Sequence, residues 1–211
     1  MNRSTADTPT RERILHAATE VFAARGYHGT VVDNIVAASG TSKGAFYHYF
    51  PSKQAIFLTL MDELAFAVEQ GVEVAIASEE GALTKIEAAL RVVLETAAAR
   101  RDLVRILLIE AVGLGPTLEG TRLAIHRRFA DLIQRHLDRA AADGDIPPQD
   151  TALAAQAWIG ALNEVITQWL LSNTGDLMSS LPALRTLLLR SIGAHLNDAT
   201  ETRKRGMAGT R

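Results

Sequence analysis

Residues 30–53, TVVDNIVAASGTSKGAFYHYFPSK, decide the fold. Val32, Ile35 and Val36 recur at helical spacing, Gly40 stops that run, and a second run from Ser42 to Phe50 is closed by Pro51. The segment reads as two helices of about eight residues joined by a tight glycine turn, the first opened by Thr30, whose hydroxyl caps the amide of Asp33. This is the helix-turn-helix pattern, spanning about 33–52, in which the second helix can enter a DNA major groove. At about 100° per residue, Phe46, Tyr49 and Phe50 fall on one side of that helix, and Gly44 and His48 face away between Lys43 and Tyr47. Phe46 and Phe50 serve as wedges against the preceding helices. Gly44 costs a helix about 1 kcal/mol against Ala, and close approach of a large partner is a reason to accept that cost.

Lys43, Thr41, Ser42, the Tyr47 hydroxyl and Lys53 form a set of phosphate donors, while His48, with Lys43 and Thr41, is placed to read base edges. The candidate DNA contacts are Thr30, Thr41, Ser42, Lys43, Gly44, Tyr47, His48, Tyr49 and Lys53. Helix-turn-helix geometry also occurs in proteins that bind no DNA, where such a segment is an aromatic core with a solvated face.

Outward from this segment the period stays helical, without sustained two-residue alternation, so the chain reads as all-α. A helix from Thr10 to Arg25 carries Ile14, Ala18, Val21 and Phe22 on one face and is closed by Gly26. Ser52 caps a long helix through Ile56, Phe57, Leu60, Leu64 and Val68, which Gly71 is placed to bend. Further helices are expected over 82–99, 102–112, 117–142, 150–172 and 181–197. The domains divide as 1–55 for the helix-turn-helix unit, 56–199 for a larger helical unit, and 200–211 for a frayed tail.

Composition bounds the chemistry. The chain has 211 residues, 47% of them hydrophobic and 22% charged, which is ordinary for a globular protein. It has no cysteine, so thiolate zinc sites, iron–sulfur clusters, cysteine nucleophiles and thiol redox switching are excluded. No cofactor is implied, and His126 and His136, ten residues apart, cannot share one helical face as metal ligands. The polar start, MNRSTADTPT, and the shortness of the apolar runs predict a cytoplasmic protein without membrane contact. A net charge of -2 argues mildly against nucleic acid, but its distribution does not. Residues 1–53 carry six Lys or Arg against four Asp or Glu, whereas the remainder carries sixteen against twenty.

The first quarter closely resembles the DNA-binding domain of the TetR family of bacterial transcriptional regulators. The resemblance rests on Arg13-Ile14-Leu15-His16-Ala17-Ala18, on Phe22-Ala23-Ala24-Arg25-Gly26-Tyr27 leading to Gly29-Thr30, and on Ser42-Lys43-Gly44 followed by Phe46-Tyr47-His48-Tyr49-Phe50-Pro51-Ser52-Lys53. It covers about residues 11–58. Val36 stands where the family usually has Ala, and Thr41 where it commonly has a small apolar residue. The resemblance implies a homeodomain-like three-helix reader of double-stranded DNA joined to a C-terminal helical bundle for effector binding and dimerisation. It also implies a homodimeric, ligand-released repressor acting on a pseudo-palindromic operator. Hydrophobic bundles of this kind in the family respond to lipophilic molecules, so an effector such as an acyl-CoA is the first candidate.

The larger unit offers residues for both roles. Leu107, Glu110, His126, Phe129, Trp158, Leu162 and Asn163 could converge on an effector, with Leu114 among other apolar lining residues and Arg122, Arg127 and Arg128 available to an anionic head group. Ala161, Val165 and Trp169 on the 150–172 helix, with Leu184, Leu188 and Ile192 on the last helix, are expected to form an intersubunit four-helix bundle. Two rival readings are a DNA-binding activator without an effector and an all-α enzyme. The enzyme reading has only Glu110 and His126 to offer as an acid/base pair, and no nucleotide-binding or nucleophile motif supports it.

Overall fold

A computed structural model describes residues 8–110, 115–172 and 175–194. Within them the chain forms helices α1 (Thr8–Gly29), α2 (Val32–Ser39), α3 (Lys43–Tyr49), α4 (Lys53–Ala77), α5 (Ala82–Ala99), α6 (Arg101–Arg105), α7 (Pro116–Ala142), α8 (Thr151–Ser172) and α9 (Leu181–Ser191). A π turn, Ile106–Glu110, continues α6, and a 3-10 turn, Leu177–Ser180, precedes α9. The described residues contain no strand, as the periodicity requires. Leu114 and the 200–211 tail lie outside them.

The first three helices and the start of α4 enclose one aromatic core. Ile14, Phe22, Ile35, Phe46, Ile56 and Phe57 are all fully buried in it. Phe22 meets Phe57 edge-on at 5.2 Å, and Tyr27 does so at 4.9 Å. Burial of each such side chain contributes about 1.5–3 kcal/mol, which fixes the angles at which the short helices leave one another. Gly26 interrupts α1 at φ 67 and ψ 178, close to the expected end at Arg25. Gly40, at φ 60, closes α2, and the amide of Thr41 donates to the Val36 carbonyl in the usual glycine-ended pattern.

The α2 start differs from expectation. Val31 is the residue that precedes the helix, and Asn34 Oδ1 accepts from its amide at 3.3 Å. Thr30 is fully buried, and its hydroxyl donates to the Gly26 carbonyl at 2.7 Å, tying the α1 end to the turn.

Two further clusters fill the larger unit, one between α4, α5 and α7, the other among α5, α7, α8 and α9. Gly71 permits close approach of α5: a Cβ there would lie 2.9 Å from Val92 Cγ1. The last helix ends at Ser191 and not at 197, because Gly193 turns the chain at φ 69. The aromatic core does not stop at the sequence boundary of residues 55–56, which falls inside α4. Leu103, Ile106, Leu118 and Ile125 belong to the same buried cluster as Phe22 and Phe46, so α6, the π turn and α7 roof the small unit.

Candidate nucleic-acid interface and internal cavity

Ser42 caps α3 by accepting from the amide of Ala45 at 3.1 Å, and Phe46 and Phe50 anchor the helix from below. What remains outward is Ser42, Lys43, Gly44, Tyr47 and His48, all exposed. Tyr47 is 52% exposed although it is a large aromatic, an orientation set by Phe46, which it meets edge-on at 5.4 Å. Nothing but Ser42 Oγ, at 3.7 Å, would touch a Cβ added at Gly44, so the subunit itself has room for a side chain there. Lys43 Nζ sits 2.7 Å from Asp33 Oδ1 at the start of α2, and that hydrogen bond raises its pKa. Thr41 is half-buried, its hydroxyl 2.7 Å from that of Ser39, and Ser39 donates onward to the Val36 carbonyl. Tyr49 is half-buried against the aromatic core.

Two sequence candidates are corrected. Thr30 is buried and spends its hydroxyl inside the fold, so it presents nothing to DNA. Lys53 Nζ donates to the carbonyls of Tyr27 at 2.7 Å and Thr30 at 2.8 Å and lies 4.4 Å from the Tyr27 ring centre. Burial lowers its pKa. It braces the chain around Gly26–Thr30, and a phosphate would have to compete with both carbonyls.

Helices α4, α5, α7 and α8 surround a cavity of about 560 Å³, within the range typical of small-molecule sites. Leu64, Val68, Val72 and Ile76, spaced every four residues, point one stripe of α4 into it. Of the expected effector residues, Leu107, Phe129, Trp158, Leu162 and Asn163 line the cavity. Glu110 and His126 do not. Glu110 turns toward the small unit, where its carboxylate accepts from the Tyr27 amide at 3.1 Å. Arg122 and Arg128 are likewise engaged elsewhere, Arg122 with Glu119 at 2.6 Å and Arg128 with Asp62 and with Glu69 at 2.8 Å. The polar lining is Glu73, Lys85, Thr96, His136, Arg139, Asp143, Asp145 and Asn163. Sequence reading missed this set because helix ends and the α4 register decide which charges turn inward. Among the described residues no group of three or more His, Asp or Glu could hold a metal, and no helix is long and apolar enough to cross a membrane.

The expected interface residues split. Leu184, Leu188 and Ile192 are at most 6% exposed and packed within the chain, so they present little surface to a second one. Ala161, Val165 and Trp169 are half-buried; Trp169 stacks under Arg101 at 4.3 Å and donates to the Gly175 carbonyl. The outward stripes are Leu153, Ala157, Gly160, Glu164 and Leu171 on α8 and Ala183, Leu187 and Arg190 on α9. Leu153 and Leu187 are about three-fifths exposed.

Comparison with known proteins agrees with this geometry. Residues 14–60 match the family described as bacterial regulatory proteins, tetR family, and residues 79–176 match the tetracyclin repressor-like C-terminal domain. The chain is 46% identical over 50 residues to the transcriptional repressor DhaR of Mycobacterium sp. (strain GP1), a stretch spanning 24% of this chain and only 25% of that relative. It is 25% identical over 186 residues to the fatty acid metabolism regulator protein of Bacillus subtilis, covering 87% of this chain and 96% of the relative. A solved FadR from Bacillus subtilis, in complex with stearoyl-CoA, superposes with a TM-score of 0.78 at 24% identity over 84% of this chain and 97% of that one. A tetR-family regulatory protein from Rhodococcus RHA1 does so with a TM-score of 0.71 at 26% identity over 88% and 98%. With its helix-turn-helix reader and its helical C-terminal domain both matched, this chain is a DNA-binding transcriptional regulator and belongs to the TetR family.

Proposed function

We propose that this chain is a homodimeric repressor that leaves a pseudo-palindromic operator when a lipophilic effector enters the cavity between α4, α5, α7 and α8. The observation that carries this reading is the coexistence, on one shared core, of an outward recognition helix and a largely apolar cavity of small-molecule size. A relative named for fatty acid metabolism and a neighbour holding stearoyl-CoA make long-chain acyl-CoA the effector class to try first.

Two subunits meet through the outward stripes of α8 and α9, where Ala157 and Gly160 allow the helices to approach closely. Each α3 then enters one of two successive major grooves, about 34–36 Å apart. Lys43, Ser42 and Tyr47 hold phosphates, His48 reads base edges, and the absence of a side chain at Gly44 lets the backbone come close to the groove. Effector binding releases DNA only if the ligand prefers the state with the wrong helix separation. The protein works in the cytoplasm, where its promoter lies.

The test is fluorescence anisotropy with the promoter region of the protein's own gene, with and without acyl-CoA. Salt-dependent binding that weakens on adding acyl-CoA supports the reading. DNA affinity indifferent to acyl-CoAs, free fatty acids and other lipophilic compounds refutes the ligand-released part, and no affinity at any salt refutes the whole.

A further inference from the structure

The cavity has two unlike ends. Its exposed lining residues, Ala77, Gly81, Arg139, Asp143 and Asp145, lie at the C-terminal ends of α4 and α7 or in the turns that follow. Its opposite end is lined by Ala65, Leu107 and Ile125, all apolar. From Ala65 to Ala77 the helical rise amounts to about 18 Å. The cavity therefore runs from a mouth where cations and anions mix to an apolar floor.

That floor is also the roof of the DNA-binding unit. Ala65 and Ile125 belong to the buried cluster that contains Ile35 and Phe46, and Leu107 packs against it. Leu107 lies on the π turn Ile106–Glu110, a wide helical geometry frequent at functional sites. At the end of the same turn, Glu110 leaves the cavity and grips the small unit. Its carboxylate accepts from the Tyr27 amide at 3.1 Å, and it fits so closely over Gly26 that a Cβ there would lie 2.9 Å from Oε2. One short turn thus touches the bottom of the channel with one residue and the end of α1 with another.

We infer that an amphiphile enters tail first, that its apolar tail is measured against Leu107, and that displacement of Leu107 withdraws Glu110 from Gly26 and Tyr27, loosening the DNA-binding unit. This rests on the effector reading above and adds what the site measures and by which residue the signal leaves it. Chains too short to reach the floor bind without releasing DNA.

The experiment measures operator affinity by anisotropy, and ligand binding by calorimetry, for saturated acyl-CoAs from eight to eighteen carbons. In the wild type, release sets in above a threshold chain length. Leu107→Trp, which raises the floor, moves that threshold to shorter chains. Glu110→Ala keeps acyl-CoA affinity within about twofold, while the loss of DNA affinity on ligand binding, about 5- to 150-fold in typical allosteric proteins, falls below about twofold. Glu110→Gln, which retains an oxygen for the Tyr27 amide, keeps the response and so separates a lost hydrogen bond from a misfolded protein. A wild type that binds none of the probes removes acyl-CoA as the effector class and this inference with it. If release is equal at every chain length, or Glu110→Ala is released as fully as wild type, the inference is overturned and the effector reading stands.

Discussion

The ammonium of Lys53 is held by the carbonyl of Tyr27 at 2.7 Å and lies over the same residue's ring at 4.4 Å. A cation at the start of α4 thus serves as a structural pin between α1 and α2. Lys53→Met leaves two carbonyls without that donor, at a cost of about 1.5 kcal/mol for this part-buried site, read as a lower urea midpoint. Lys43→Met barely alters the midpoint, since its partner Asp33 is exposed. The salt dependence of DNA binding separates the two further: the log–log slope falls by about 2 per dimer for Lys43→Met, one phosphate contact being lost from each subunit, and is unchanged for Lys53→Met. Equal slopes for both variants would contradict these roles.

Gly44→Ala should stabilise the free protein and weaken its DNA complex. The space is open, and an alanine gains about 1 kcal/mol in a helix, equivalent to about 2–4 °C in Tm for a chain of this size. Calorimetry of the free protein and anisotropy with operator DNA check the two signs. A variant that is both stabler and fully active would remove the argument that DNA is what keeps this position bare.

His136 gives the cavity a pH signature. Burial depresses its pKa from 6.5, and Arg139 and Arg135 act in the same direction, against the opposing pull of Glu73. Below pH 6.5 the unfolded chain therefore binds this proton more readily than the folded one. The neutral-histidine contribution to stability is full above that pH and is lost as pH falls through the depressed folded value. In urea titrations from pH 7.5 to 5, His136→Gln should flatten the acid side of the profile. Parallel profiles for wild type and variant would show that other groups cause the decline.

Leu153→Asp combined with Leu187→Asp should give monomers on sedimentation, with a melting temperature close to wild type, because both side chains project outward. DNA affinity should drop steeply, and acyl-CoA binding should survive. Dimers persisting in this double variant would place the interface elsewhere.

The helix-turn-helix was legible because its punctuation is local: Gly40, Ser42, Pro51 and Ser52 each act on the backbone within a few residues. The same holds for the apolar faces of α1, α4 and α8. Long-range partners were not legible. Lys53 and Thr30 have the chemistry of phosphate ligands, and only the fold reveals that Tyr27, Thr30 and Gly26 carbonyls already occupy them. Glu110 looked like a pocket residue by position, yet the wider π turn rotates it toward Tyr27. On α9 the apolar positions were correctly identified, but Leu184, Leu188 and Ile192 satisfy their own subunit first, leaving Leu187 on the outside.

Leu103, Ile106, Leu118 and Ile125 close the core that Phe22 and Phe46 begin. A fragment ending after the first three helices would expose that apolar surface to water, so the reader cannot be excised and grafted as a free-standing module. The regulator is divisible by role and indivisible by folding. Substitutions in α6 or at the start of α7 will therefore surface in a genetic screen as changes in operator occupancy, although they touch neither DNA nor effector.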